Sequence, residues 1–356
     1  MKSVIIIGHG MRAAGVDPAP LLELGIPVLS SWQGMDLVDN WHPMYFGRTG
    51  IYGQRAANRI FYEADVIYSV GTRLCAWQVG HAGLRPEQKV ITCDLKATPQ
   101  VAVDSVWIAR CEKYLHDYPW VESPAHDDTN GYINSYRFIQ RLEPLLKPDE
   151  VIVTDNGSLM CPIFQALHVK PPQRVLTAGC LGEMGCGLPG AVGASFARGR
   201  GEVLAFIGDG GMMMNLQELA TIRHHNLPIK MLVFENDGYS MIKGTYDNMK
   251  KKRVGVSRET GLGLPNFQNI AFSFGIATFG FEYTNSLSTW EEFNRAIPEF
   301  LAHKGPALIQ VRIDPEQQFV PRLKPILKDG KITPARFDQL SPILTDIKLL
   351  TEADLA

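Results

Sequence analysis

The chain has 356 residues, 45% of them hydrophobic, enough for two domains with sizeable cores. Its net charge of −2 gives no electrostatic case for nucleic acid, and no apolar stretch has the length of a membrane span, so neither is expected as a partner. The opening run to Gly8 is too short for a signal peptide, and six cysteines without a Cys-x-x-Cys pair read as buried free thiols in a reducing cytoplasm.

In chain order, a first α/β unit spans residues 1–128. Candidate strands lie at 4–8, 27–31, 66–71, 89–95 and 106–109, with helical stretches between them, notably 54–62. Residues 123–131 are polar and rich in breakers and read as the linker. The second unit, 129–356, opens with a helix near 132–146. Strands follow at 151–154, 203–208, 229–236, 277–282 and 307–313, again with helices between. The fold class is therefore α/β, with two open parallel sheets covered by helices on both faces. The tail beyond Asp314 has many prolines and little periodicity and reads as a surface wrap.

Residues 208–239 carry the most information. The apolar run 203–207 reads as a strand buried on both faces, and it ends in Gly208-Asp209-Gly210-Gly211. Glycines there let the backbone approach a phosphate, and successive N–H groups can form an anion nest. Leu216, Leu219, Ala220 and Ile222 share one helical face, and a second apolar run leads to Glu235-Asn236-Asp237-Gly238. Two parallel strands end on the same edge, so Asp209 and Asn236, 27 residues apart, are expected side by side. Magnesium takes six oxygens and often shares them between protein and phosphates. Asp209, the Asn236 amide oxygen and the Gly238 carbonyl, with diphosphate oxygens and water, would make such a shell. The cofactor so indicated is thiamine diphosphate with Mg2+. The bland alternative is an ordinary strand-to-helix turn.

With these motifs, residues 1–344 resemble thiamine-diphosphate enzymes of the acetolactate synthase group, over the central and diphosphate-binding domains of that three-domain family. The segment from Gly179 to Pro189 matches the part that crosses the cofactor's middle. The resemblance implies that Met184 is a wedge bending the cofactor and that the Gly182 carbonyl accepts its 4′-amino group; a bent cofactor makes proton removal intramolecular. A plain core methionine is the alternative. Asp155-Asn156-Gly157-Ser158 matches the other side of the diphosphate site, with a plain strand-to-helix turn as the alternative, and Tyr239-Ser240-Met241-Ile242 matches the wall of the reaction cavity. Gly182, Met184 and Met241 are thus the candidate catalytic residues.

Departures matter as much. Acetolactate synthases place Gln-His where Ser158-Leu159 stands, and Gln-Trp where Gly244-Thr245 stands, which puts the acetohydroxyacid acceptor in question. Glu235 stands where many relatives have Asn. Arg73 matches a residue that can contact FAD, but Cys75-Ala76-Trp77 replaces the Asp-Asp-Arg of flavin-holding relatives, so FAD is disfavoured. Lys250-Lys251-Lys252-Arg253 reads as a solvated loop or as a grip on an anionic substrate. His224-His225 reads as a solvated helix end. Gly8-His9-Gly10 after a strand would support only a nucleotide-binding oxidoreductase, a fold-level hint.

The family's pyrimidine-binding domain supplies a Glu that hydrogen-bonds the cofactor. The resemblance places the start of this sequence at the central domain, so a separately encoded subunit carrying that domain is expected, in a homo- or hetero-oligomer. The expected activity is decarboxylation of a 2-oxo acid, with pyruvate as donor, and transfer of the remainder to a carbonyl acceptor. A simple decarboxylase and a non-catalytic cofactor-binding remnant are the alternatives.

Overall fold

Short apolar runs bounded by breakers become the strands of two parallel sheets, one in each of two units. The computed structural model describes residues 1–93, 104–280, 286–328 and 331–344. The first unit comprises Met1–Ala125, His168–Pro171 and the tail from Phe319; the second comprises His126–Leu167 and Pro172–Gln318.

The first unit holds β1 (Ser3–Ile7), β2 (Val28–Ser30), β3 (Tyr45–Arg48), β4 (Val66–Val70) and β5 (Lys89–Thr92), in the order β3-β2-β1-β4-β5. β1 is central, and all of its residues are buried. Val4 and Ile6 share a core with Ile60, Phe61 and Trp107, whereas Ile5 and Ile7 share another with Met11, Leu21 and Val38. Burial on both faces is why this strand reads as an unbroken apolar run. The strand expected at 106–109 is instead part of the helix Ser105–Asp117, capped by Asp104, whose side chain accepts the Trp107 N–H at 3.0 Å. Trp107, Cys111 and Tyr114 are its buried residues, and that spacing has the period of a helix. The expected strand at 89–95 ends at Thr92, and residues 94 and 95 lie outside those described.

The second unit holds β6 (Val151–Thr154), β7 (Arg174–Leu176), β8 (Val203–Gly208), β9 (Ile229–Glu235), β10 (Ala277–Phe279) and β11 (Ala307–Arg312). Their order is β10-β11-β9-β8-β6-β7, all parallel. Val203, Ala205 and Ile207 pack with Leu188, Val192, Leu219 and Phe267. On the other face, Phe234 lies 5.0 Å from the Phe138 ring and 6.3 Å from the Phe206 ring. The helix expected at 132–146 is Ser135–Leu142 followed by a 3-10 turn that contains Pro144. The strand expected at 277–282 ends at Phe279, with 281 and 282 outside the described residues. β3 and β7 are strands beyond those expected. The chain leaves β6 for β7 on one side and returns to β8 on the other. The crevice at the carboxyl ends of β6 and β8 is therefore a topological switch point, where α/β sheets bind ligands.

The tail departs from expectation. It carries β12 (Ile326–Lys328) and β13 (Lys331–Thr333), belongs with the first unit rather than with the sheet of the second, and buries Phe337 and Leu340. Phe337 meets the Phe61 ring edge-on at 5.6 Å, its carbonyl accepts from Asn58, and the Leu340 carbonyl accepts from Arg55. Two aromatic and aliphatic anchors without periodicity leave no pattern for sequence reading to find.

Helix Trp290–Ala302 illustrates local specification. Thr289 and Glu292 form a reciprocal capping box, and Phe293, Ala296, Ile297 and Phe300 face inward. Thr289→Ala is expected to lower stability by about 1 kcal/mol, read from the urea unfolding midpoint. An unchanged midpoint would show that packing alone sets this helix start.

Candidate functional site

At the carboxyl ends of β8 and β9, the register pairs Gly208 with Phe234, so Asp209 and the Asn236 turn emerge together. Asp209 is 2% exposed. Its Oδ2 accepts the backbone N–H groups of Asn236 at 3.1 Å and Gly238 at 2.9 Å, and its Oδ1 accepts that of Gly210 at 2.6 Å. Burial pushes its pKa up to about 6 against these three bonds, which pull it down. Among the described residues no basic side chain forms an ion pair with it. A carboxylate buried this deeply without an ion pair is costly, and a divalent cation would relieve it.

Asn236 supports the same conclusion. Its Nδ2 donates to Ser240 Oγ at 2.5 Å and to Ser158 Oγ at 3.3 Å. With both amide hydrogens engaged by hydroxyls, Oδ1 has no hydrogen-bond partner among the described residues and is available as a ligand. Gly238, at φ +111°, leaves no room for a side chain, since a Cβ would stand 2.3 Å from the Val256 carbonyl. Its own carbonyl accepts the Ser240 N–H at 3.1 Å and keeps a second lone pair. Among the described residues no group of three or more His, Cys, Asp or Glu is placed to hold a metal. One carboxylate, one amide and one carbonyl suit magnesium only if a bound diphosphate completes the shell. The donor set therefore fits the cofactor inferred from the motif.

The remaining predicted residues gather around this pair. At Gly210 a Cβ would lie 2.3 Å from the Tyr239 ring and 3.3 Å from Met184 Cε, so Tyr239 and Met184 flank that glycine. Met184 is half-buried, while Leu181 and Gly182 are exposed. Gly182 adopts the left-handed conformation at φ +69°, and Gly157 lies at φ +107°. Asn156 donates to the Glu183 carbonyl at 2.7 Å, which ties the loop after β6 to the Met184 segment. Gly211 lies against Asp155, whose Oδ2 would be 1.8 Å from a Cβ there. Gly208 has open space where a Cβ would stand, so the chain itself does not demand glycine there. Met241 begins the helix Ser240–Asn248 and is half-buried.

Other residues singled out in the sequence have partners of their own or are exposed. Arg253 pairs with Asp247 and Glu316, each at 2.7 Å, and Lys250, Lys251 and Lys252 are exposed, as a solvated loop would be. Glu235 pairs with Arg258 at 2.8 Å and accepts from Gln310 at 2.7 Å. Gly8 and Gly10 pack against Gly71, whose carbonyl a Cβ at Gly8 would meet at 2.5 Å; close packing accounts for that glycine pattern. Arg73 is exposed. Among the described residues Cys75, Cys93, Cys111, Cys161 and Cys186 form no disulfide, and no helix is long and apolar enough to cross a membrane.

Sequence reading missed Lys243 and placed Asp155 in the diphosphate-side loop without a role of its own. Lys243 is 3% exposed, and its Nζ donates to the carbonyls of Asn236 at 3.1 Å and Pro315 at 3.3 Å. Burial pushes its pKa down. Asp155 is fully buried, and its carboxylate gathers N–H groups from the turn after Met184. A lysine on a helix and an acid after a strand look ordinary in sequence. Only folding shows them buried.

Residues 1–100 match the family description "Thiamine pyrophosphate enzyme, central domain", and residues 155–311 match "Thiamine pyrophosphate enzyme, C-terminal TPP binding domain". The chain is 28% identical to the acetolactate synthase isozyme 1 large subunit of Escherichia coli, over 91% of this chain and 60% of that protein. It is 26% identical to a probable acetolactate synthase large subunit of Methanocaldococcus jannaschii, over 96% of this chain and 64% of the relative. With the acetolactate synthase large subunit of Lactococcus lactis the identity is 26%, over 90% of this chain and 59% of the relative. The chain thus spans about three-fifths of the length of these relatives.

Proposed function

Because this chain belongs to the thiamine pyrophosphate enzymes, through their central and C-terminal domains, we propose that it holds thiamine diphosphate and Mg2+ at Asp209, Asn236 and Gly238, and acts on a 2-oxo acid. The observation that carries the reading is the buried Asp209 carboxylate, with no ion pair among the described residues and beside an unengaged Asn236 Oδ1, at the switch point of the sheet. Bound there, the cofactor supplies an electron sink for carbanion chemistry at the carbon that loses carbon dioxide. Asp209 and Asn236 hold the cation, and the loop of Asn156, Gly157 and Ser158 closes the site from the β6 side. Met184 and Tyr239 wall the turn at Gly210. The exposed Gly182 carbonyl is free to accept an amino hydrogen, and Met241 stands at the start of the helix that bounds the cavity.

The expected reaction is acetolactate synthase-like: pyruvate as donor, and transfer to a carbonyl acceptor. Gly244-Thr245, where those enzymes have Gln-Trp, argues for a different acceptor. We propose too that a pyrimidine-binding domain on another polypeptide completes the site with its glutamate, in an oligomer of both chains in the cytoplasm. Support comes from an apolar rim beside Gly182 and Met184: Leu181 is 84% exposed, Met213 39% and Met214 48%.

Isothermal calorimetry with Mg2+ and thiamine diphosphate tests the binding, with and without a co-purifying pyrimidine-domain protein. Saturable, magnesium-dependent uptake is expected, with pyruvate turnover only when both chains are present. No uptake in either case would sink the reading. Robust pyruvate decarboxylation by this chain alone would remove the partner.

A further inference from the structure

Asp155 is a buried acid beside the site for which the proposed chemistry has no task. We propose that it is a positioning residue: it fixes the turn after Met184 against Gly211, and so sets the fit of the non-phosphate part of thiamine diphosphate. This rests on the reading of the site given above.

The carboxylate stands at the end of β6, with no exposed surface. Its Oδ2 accepts the Gly185 N–H at 3.1 Å. Its Oδ1 accepts the N–H groups of Asn156 at 2.9 Å and Gly187 at 3.2 Å, and the Cys186 thiol at 3.3 Å. Residues 185–187 thus wrap one anion, as a backbone nest does. The oxygen that holds Gly185 also lies against Gly211, so Asp155 packs the Met184 segment against the turn after Asp209 while its hydrogen bonds go to residues 156 and 185–187 and none to Gly211. Two further tethers flank Met184: Asn156 donates to the Glu183 carbonyl at 2.7 Å, and Asn215 to the Gly185 carbonyl at 2.6 Å. Asp155 makes no hydrogen bond to Asp209, Asn236 or Gly238 among the described residues. The cation clamp and the Asp155-held segment are therefore separate supports.

That separation gives a test. In Asp155→Asn an amide N–H group replaces one acceptor and, in either orientation, faces a backbone donor. Calorimetry in Mg2+ compares thiamine diphosphate with inorganic diphosphate, which needs only the clamp. Affinity for thiamine diphosphate is expected to fall about tenfold, the scale of one hydrogen bond, while that for inorganic diphosphate changes by less than about threefold. A parallel loss for both ligands, or no change in either, overturns the proposal. Asn215→Ala removes a tether at a half-buried side chain and is expected to give the same split. Should thermal melting show that Asp155→Asn does not fold, the presence or absence of the split in Asn215→Ala decides. Wild-type chain that binds neither ligand overturns the thiamine-diphosphate reading itself, and this proposal with it.

Discussion

Asp209→Ala is expected to abolish magnesium-dependent uptake of thiamine diphosphate, raising Kd by at least about a hundredfold in calorimetry. The size follows from what is lost. The carboxylate is the one charged ligand the protein gives to the proposed shell, and it also ties down the Asn236 and Gly238 N–H groups. Without it, Asn236 Oδ1 and the Gly238 carbonyl lose both their charged companion and their fixed spacing. Retained uptake within about threefold of wild type would mean that the cation is held elsewhere.

The same carboxylate has a pH signature in the empty chain. Its pKa rises from 3.8 to about 6 on folding, because burial disfavours the charged form. The unfolded chain gives up this proton first, so its contribution to stability falls as pH rises through that window and is flat above it. In Asp209→Ala that component of the pH dependence is absent. Thermal midpoints of the two proteins, measured with chelator across the window, should therefore move so that wild type gains on Asp209→Ala as pH falls from 7 to below 4.

Gly211→Ala is expected to cost about 3 kcal/mol, at the upper end of overpacking effects, and to impair cofactor uptake as well. A Cβ at this position would lie 1.8 Å from Asp155 Oδ2. Contacts that close relax cheaply only when the neighbour is the loose end of a flexible side chain. Here the neighbour accepts four hydrogen bonds from the peptide and thiol groups around it. Moving it would leave the Gly185 or Gly187 N–H buried and unpaired. The backbone of the turn after Asp209 must therefore shift. Denaturant unfolding reads the stability, and calorimetry reads the site. A variant as stable as wild type and with full uptake would show that the crevice yields at Asp155.

Much of this was legible before folding. The apolar runs at 151–154 and 203–208 coincide with β6 and β8, because strands covered on both faces need only be continuously hydrophobic. The pairing of Asp209 with Asn236 followed from two parallel strands ending on one edge. What failed was short or aperiodic. β3 and β7 offer four and three residues, and the burial of Phe337 depends on Phe61, far away in sequence. The strand expected at 106–109 failed because four residues are too few to separate a period of two from one of 3.6. Within the site, Gly210 and Gly211 stood out as glycines, but that one meets Tyr239 and Met184 and the other Asp155 depends on distant segments.

By itself, the amino-acid order determined the two α/β units, the cofactor class and the Asp209–Asn236 pair, since each depends on local hydrophobic period or on residue types at a fixed spacing. Tertiary structure alone decided that Asp155 and Lys243 are buried, that the tail joins the first unit, and that Asp209 makes no ion pair among the described residues. Burial and the presence of a countercharge are properties of what surrounds a group, and those surroundings come from segments that no sequence window contains.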